Sequence, residues 1–108
     1  MVTVTDLAVR TLEKLQVLGA EVPSARDLKK AEDAVRTAHA QFKVWDILRW
    51  TLSDIPDYAE EPYVLMAAYN CADDFQVPQL DKWQVAAYRQ LCAAANLHAQ
   101  GPTQAEYF

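Results

Sequence analysis

The chain has 108 residues, 52% of them hydrophobic and 23% charged, with two glycines and a formal charge of -5. A chain of this length supports one compact domain, removing about 65% of its unfolded surface from water. The composition excludes the disordered and low-complexity classes, and the scarcity of glycine argues against an all-β fold full of tight turns. Fifteen acids against ten bases disfavour a phosphate backbone or an anionic membrane as the primary partner.

In chain order, Thr3 to Asp6 has the form of a capping box, and Leu7, Leu12, Leu15 and Leu18 follow at near-helical spacing until Gly19. A first helix is expected over 4–18, with Gly19 ending it and Pro23 turning the chain away. A second box, Ser24 to Asp27, opens a helix over 25–45. Its apolar residues Leu28, Ala31, Val35, Ala38, Phe42 and Trp45 step by three and four along one face, while Arg26, Lys29, Lys30, Glu32, Asp33 and Arg36 are expected in solvent.

The stretch VWDILRWTLSDIP, residues 44 to 56, then breaks the helical rhythm. Trp50 and Leu52 alternate with Arg49, Thr51 and Ser53, a period of two that suits a short extended segment, closed by Ile55-Pro56. Packing back on the helices is the favoured fate of an indole as large as that of Trp50. Asp57 with Glu60 can cap a third helix. Pro62 lacks the N–H owed to the carbonyl of Tyr58, so regular helix is expected only from near Glu60. The run YVLMAAYNCA is apolar on most faces, as befits a central helix, and should end near Phe75. A fourth helix is expected over 79–97, with Leu80, Trp83, Ala87, Leu91, Ala94 or Ala95, and His98 on one stripe. Gly101-Pro102 should stop it, leaving a polar tail that ends in Tyr107 and Phe108. The fold class is thus all-α: a four-helix bundle-like domain over 1–98, a short extended excursion between helices two and three, and a flexible C-terminal tail over 99–108.

Charge is uneven along the chain. Residues 1–49 carry seven acids and eight bases, whereas residues 50–81 carry Asp54, Asp57, Glu60, Glu61, Asp73, Asp74 and Asp81 with no Lys or Arg. Cys71 and Cys92 lie in alanine-rich contexts that suit buried free thiols. No secretory-type leader is evident and no apolar run approaches the ~20 residues of a membrane span, so synthesis and use in a reducing cytoplasm are expected. His39 and His98 have no Cys or carboxylate at metal spacing, and there is no phosphate-binding glycine loop or nucleophile elbow. No catalytic, cofactor or metal residue is expected.

The order TDLAVRTLEKLQVLGAEVPSARD, AVRTAHAQFKVWDILRWT, IPDYAEEPYVLMAAYNCADDFQVP and YRQLCAAANL resembles the head-to-tail adaptor family of tailed phages, also called head-completion or packaged-DNA stabilisation proteins. The resemblance spans residues 3 to 98. It lies in a short first helix ending in L-G, a PSA-type cap, a long second helix leading into a W...W-T segment, an I-P-x-Y start to helix three and an L-x-x-x-N close to helix four.

The resemblance implies a structural protein, not an enzyme. Such a protein forms a ring, commonly of twelve copies, beneath the portal vertex, where it extends the DNA channel, retains packaged DNA and offers the tail a platform. The implied partners are other copies of the chain, the portal protein and a downstream tail (nozzle or hub) protein. Packaged DNA would pass without tight binding, no membrane is involved, and the location would be the neck of a virion assembled in the host cytoplasm. Each ring subunit contacts two neighbours through different patches. Trp50, Tyr58, Tyr63, Tyr107 and Phe108 are the candidates for subunit or portal contacts, with Tyr69 and Tyr88 weighed beside them. Asp54, Asp57, Glu60, Glu61, Asp73 and Asp74 are the candidates for an acidic channel lining that would not hold phosphate. Two alternatives stand beside this reading. One is a small helical DNA-binding regulator using Arg26, Lys29, Lys30 and Arg36 on helix two. The other is a glycan hydrolase using the paired carboxylates Glu60-Glu61 or Asp73-Asp74.

Overall fold

A computed structural model describes the backbone over residues 2–15 and 24–104, with side chains described over 2–15 and 24–97. Four helices make the domain: α1 (Val4–Lys14), α2 (Ala25–Val44), α3 (Glu60–Cys71) and α4 (Asp81–Gln104). The described part of the chain is all-helical, as the sequence predicts, and among the described residues no strand forms. The expected turn at Gly19 and Pro23 lies outside the described residues.

The start signals of the first two helices act as expected, whereas Asp57 does not take the expected cap position of α3: it is drawn into a 3₁₀ turn, and the residue before α3 is Ala59, which has no side chain able to cap. Thr3 Oγ1 accepts from the Asp6 N–H at 3.1 Å while the Thr3 N–H donates to Asp6 Oδ2 at 3.3 Å, a complete capping box. Ser24 accepts from the Asp27 N–H at 3.1 Å and so opens α2. A 3₁₀ turn over Asp57–Ala59 precedes α3, which begins at Glu60. Pro62 therefore falls in the first helical turn, where an N–H would have no partner in the helix.

The central position of α3 follows from its composition. Pro62, Tyr63, Val64, Leu65, Met66, Ala67, Ala68 and Cys71 are all buried, which a helix achieves only when neighbours cover most of its faces. It packs against each of α1, α2 and α4. From α2 the stripe Ala31, Val35, Ala38 and Phe42 is fully buried, and from α4 the core receives Ala87, Leu91, Ala94 and Ala95. The small alanines let the helices approach closely around the larger Tyr63, Phe42, Leu7 and Met66. Lateral hydrogen bonds add register: Thr5 Oγ1 donates to Glu32 at 2.8 Å between α1 and α2, and Asn70 Nδ2 donates to Gln41 at 2.9 Å between α3 and α2.

Three element boundaries differ from expectation. The excursion over 46–56 keeps its alternation, with Trp50 buried, Leu52 half-buried and Arg49, Thr51 and Ser53 exposed, but it is no strand. Its backbone folds into a turn, with the Asp54 N–H on the Thr51 carbonyl at 3.1 Å, and its one ladder contact is an isolated bridge in which the Val2 N–H donates to the Ile55 carbonyl at 3.1 Å. A partner strand longer than one residue is lacking, so the alternation reports burial and not a sheet. The third helix ends at Cys71, and Phe75 belongs to a separate 3₁₀ turn, Asp73–Phe75. The fourth helix runs past the expected stop at Gly101-Pro102 to Gln104. Pro102 has no N–H for the His98 carbonyl, but the loss falls beside a terminus whose last carbonyls are unpaired in any case. The segment 99–104 is accordingly helical backbone and not the start of a tail, and residues 105–108, including Tyr107 and Phe108, lie outside the described residues.

Two helical segments are closed by left-handed residues that are not glycine: Asp46 (φ 58°) after α2 and Gln76 (φ 56°) after the 3₁₀ turn that follows α3. Aspartate tolerates this region better than glutamine does. Replacing Gln76 by Gly should therefore stabilise the domain by about 0.5–1 kcal/mol, seen as a rise of a few degrees in Tm, while Gln76→Val should lower it; paired thermal melts of the two variants check this.

Candidate functional site

The two tryptophans around the break in the helical pattern have different tasks. Trp45 caps α2 and lies half-buried, its ring 5.2 Å from Phe42 and 5.2 Å from Tyr88 of α4. Trp50 is 8% exposed, folded back onto the bundle from the middle of the loop. Its indole Nε1–H donates to the Tyr63 hydroxyl at 2.9 Å, and the same hydroxyl lies 2.7 Å from Nδ1 of His39 on α2. One buried oxygen thus joins the loop, α3 and α2.

The proton positions follow from the chemistry of the three groups. An indole N–H can only donate, so Tyr63 Oη accepts from Trp50. Burial, with a lesser push from the Lys43 charge, holds His39 below its ordinary value of 6.5, so the ring is neutral at pH 7. The Tyr63 hydroxyl then donates its own proton to Nδ1, and the remaining imidazole proton sits on Nε2. Burial pushes the Tyr63 phenol up to about 12, with the Trp50 hydrogen bond opposing, so it stays protonated at any physiological pH. Aromatic contacts extend the group: His39 stacks on Tyr63 at 6.0 Å, and Phe42 meets Tyr63 edge-on at 5.0 Å. His39, Tyr63, Phe42, Trp45 and Tyr88 form an unbroken chain of rings from the core to the outer side of α4.

The structure corrects two of the contact candidates. Trp50 and Tyr63 are core residues and do not offer surface to a partner, because satisfying the indole N–H requires the loop to fold inward. Tyr58 and Tyr88 are exposed, and Tyr69 is half-buried against the core. Apolar side chains that helical periodicity did not single out add to the exposed set: Val44, Val85 and Leu97. They sit off the buried stripes, and an isolated exposed aliphatic residue carries no periodic signal of its own.

The six acidic candidates do not form one lining within a subunit. Asp54, Asp57, Glu60 and Glu61 lie before or at the start of α3, and Asp73 and Asp74 follow its end, about 18 Å away along a 12-residue helix. Glu60 and Glu61 are both engaged by Arg10 of α1, and the hydrogen bond that the guanidinium donates to Glu60 is the main reason that it holds its proton more firmly than usual. That pairing of adjacent carboxylates with one arginine also leaves neither as an unencumbered acid or base. On α2, Lys29 and Arg36 both approach Asp33, at 3.9 and 3.3 Å, and Lys30 lies over the Phe75 ring.

A shallow groove of about 340 Å³ between α2 and α3 is lined by Lys30, Asp33, Asn70, Cys71 and Asp74 among others. Burial, with the nearby Asp74 charge, pushes the Cys71 thiol up to about 11, so it is not a thiolate at neutral pH. Among the described residues no group of three or more His, Cys, Asp or Glu side chains is placed to hold a metal ion, and no helix is long and apolar enough to cross a membrane. Comparison with protein-family models, curated proteins and solved structures returned no match.

Two outcomes check this geometry. Tyr63→Phe should cost about 1–3 kcal/mol, since it leaves the Trp50 N–H without its buried acceptor, and a denaturant melt would show the lowered midpoint. Cys92, half-buried, should react with a thiol reagent at pH 8 well before Cys71, and mass spectrometry of the singly labelled protein identifies the site.

Proposed function

We propose that the chain is a structural subunit of a phage head-to-tail junction, forming a ring beneath the portal that prolongs the DNA channel, helps retain packaged DNA and gives the tail its attachment platform. The order and spacing of the motifs over residues 3 to 98 support this reading. The observation that carries it is the apolar surface left outside a well-filled core. Val44 is 83% exposed, Val85 57%, Tyr88 50% and Tyr58 46%. A ring subunit must cover surface on two neighbours, and such side chains are the ones that gain by it.

Val85 and Tyr88 lie one turn apart on the outer side of α4, with Lys82 and Arg89 close by in the sequence. The acids of residues 50–81 have no cation in their own segment. A contact between the α4 side of one copy and the acidic end of α3 that carries Asp73 and Asp74 on the next is heterologous and electrostatically matched, the kind of contact that closes a ring. The exposed apolar set is too scattered for an obligate dimer, so the isolated chain is monomeric or weakly associated and assembles on a portal template. The regulator reading draws less support, because the cations Lys29 and Arg36 of α2 already bear on Asp33 and the net charge opposes phosphate binding.

Light scattering coupled to size exclusion, with and without the portal protein of the same phage, tests the proposal. Monomer alone and a ring-sized addition on the portal are the expected results; a stable discrete dimer in both samples would contradict it. Val85→Glu should abolish the addition to the portal with little change in Tm, and duplex DNA should show no salt-dependent binding.

A further inference from the structure

We propose that His39 is a proton-operated latch for the loop 46–56: when its Nδ1 gains a proton, the Tyr63 hydroxyl loses its acceptor and the loop loosens around Trp50. The inference is independent of the adaptor reading and rests on the hydrogen-bond inventory of one buried site.

Tyr63 Oη has one proton to give, and at neutral pH it goes to His39 Nδ1 while the oxygen receives the Trp50 N–H. Protonation of His39 turns Nδ1 from acceptor into donor. The hydroxyl then faces two donors, and its own proton has no described partner in a site closed to water. A buried polar group without a partner is destabilising. The contact that yields is the loop's, because α2 and α3 are held together along their full packed length, whereas the loop meets the bundle through single side chains, the Trp50 indole, the buried Ile55 and the half-buried Ile47, Leu48 and Leu52, and through the Val2 bridge.

The charges around the ring oppose protonation but do not forbid it. Lys43 lies one turn along α2 and disfavours a second positive charge. From α3 the titratable neighbour is Tyr63 itself, and the carboxylates at the start of that helix, Glu60 and Glu61, are engaged by Arg10. The loop contributes the uncharged Trp50, and its charged residues Asp46, Arg49 and Asp54 are exposed. Among the described residues no carboxylate forms an ion pair with His39 that would stabilise the charged ring.

The sign follows directly. A histidine whose folded pKa lies below its unfolded value of 6.5 binds more protons unfolded than folded between the two values. Its contribution to the docked state is therefore fully present above about pH 6.5 and is lost as the pH falls through and below that value. The loop opens before the bundle does, because the bundle has other sources of stability.

Proton and nitrogen NMR of the full chain between pH 8 and pH 5 tests the latch. Long-range ¹⁵N spectra should show His39 with a bare Nδ1 at pH 8 and a proton there at pH 5. In step with that change the Trp50 indole N–H signal, assigned with Trp50→Phe, should shift, and amide protection over 47–55 should fall about tenfold while the helical circular dichroism is unchanged. His39→Gln, which keeps an acceptor but cannot titrate, should abolish the loop response, and His98→Gln should leave it intact. A Trp50 signal that does not move while His39 titrates, a loop response that survives in His39→Gln, or helix loss at the same midpoint would overturn the proposal; the ¹⁵N readout on the unmodified chain holds even if a variant fails to fold.

Discussion

A single phenol oxygen organises this domain. Tyr63 sits on the central helix, fully buried, and its hydroxyl takes the indole proton of Trp50 at 2.9 Å while lying 2.7 Å from His39. Without that oxygen the loop between α2 and α3 would have to bury an indole N–H with no acceptor or leave the whole ring in water, and both are costly. The loop folds inward, Ile55 enters the core and pairs with Val2, and the start of the chain is drawn against the same end of the bundle. The helices supply most of the buried area. The polar chain supplies the reason that the irregular segment has one conformation.

The same arrangement separates two kinds of surface. With the large aromatics Trp50, Tyr63 and Phe42 drawn into the core, the large apolar residues left outside among the described residues are those on α4, Leu80 just before it, Val44 at the end of α2, and Tyr58. The carboxylates collect at the two ends of α3, and Arg10 partly offsets the group at its start. The chain thus has unlike sides, as the proposed ring contact between different faces of successive copies would need. The perturbed groups of the core are shifted by burial above all: His39 is lowered by burial and by the Lys43 charge, Tyr63 is raised by burial against the opposing Trp50 hydrogen bond, and Cys71 is raised by burial beside Asp74.

Much of the fold was legible in the sequence because it is written in local signals. The Thr3 and Ser24 caps, the stripe from Ala31 to Phe42 and the position of Pro62 each act within a few residues, and each appears where the pattern placed it. The inward fate of Trp50 was legible from the size of an indole, but its partner was not. Tyr63 is 13 residues away and His39 is 24 residues from Tyr63, and no local rule links them. His39 looked like a histidine without metal ligands, which says nothing of a hydrogen bond to a phenol. The alternation over 49–53 was real as burial and misleading as a strand, since among the described residues the excursion's one bridge is that of Ile55 to Val2. The helix beyond Pro102 escaped because a proline near a terminus disrupts little. The exposed apolar set was legible only in part: Tyr58 and Tyr88 stood out as aromatics, whereas Val44 and Val85 became visible only once the helices had turned them outward.

The central claim is that Trp50 and Tyr63 act as one unit in holding the loop to the bundle. A double-mutant cycle measures this most directly: unfolding free energies of Trp50→Phe, Tyr63→Phe and the double variant, compared with the unaltered chain. The account predicts that the double variant loses less than the sum of the two single losses by about 1 kcal/mol or more, since either change alone removes the shared hydrogen bond. Strictly additive losses would mean that the two side chains stabilise the domain separately, and the account would be wrong.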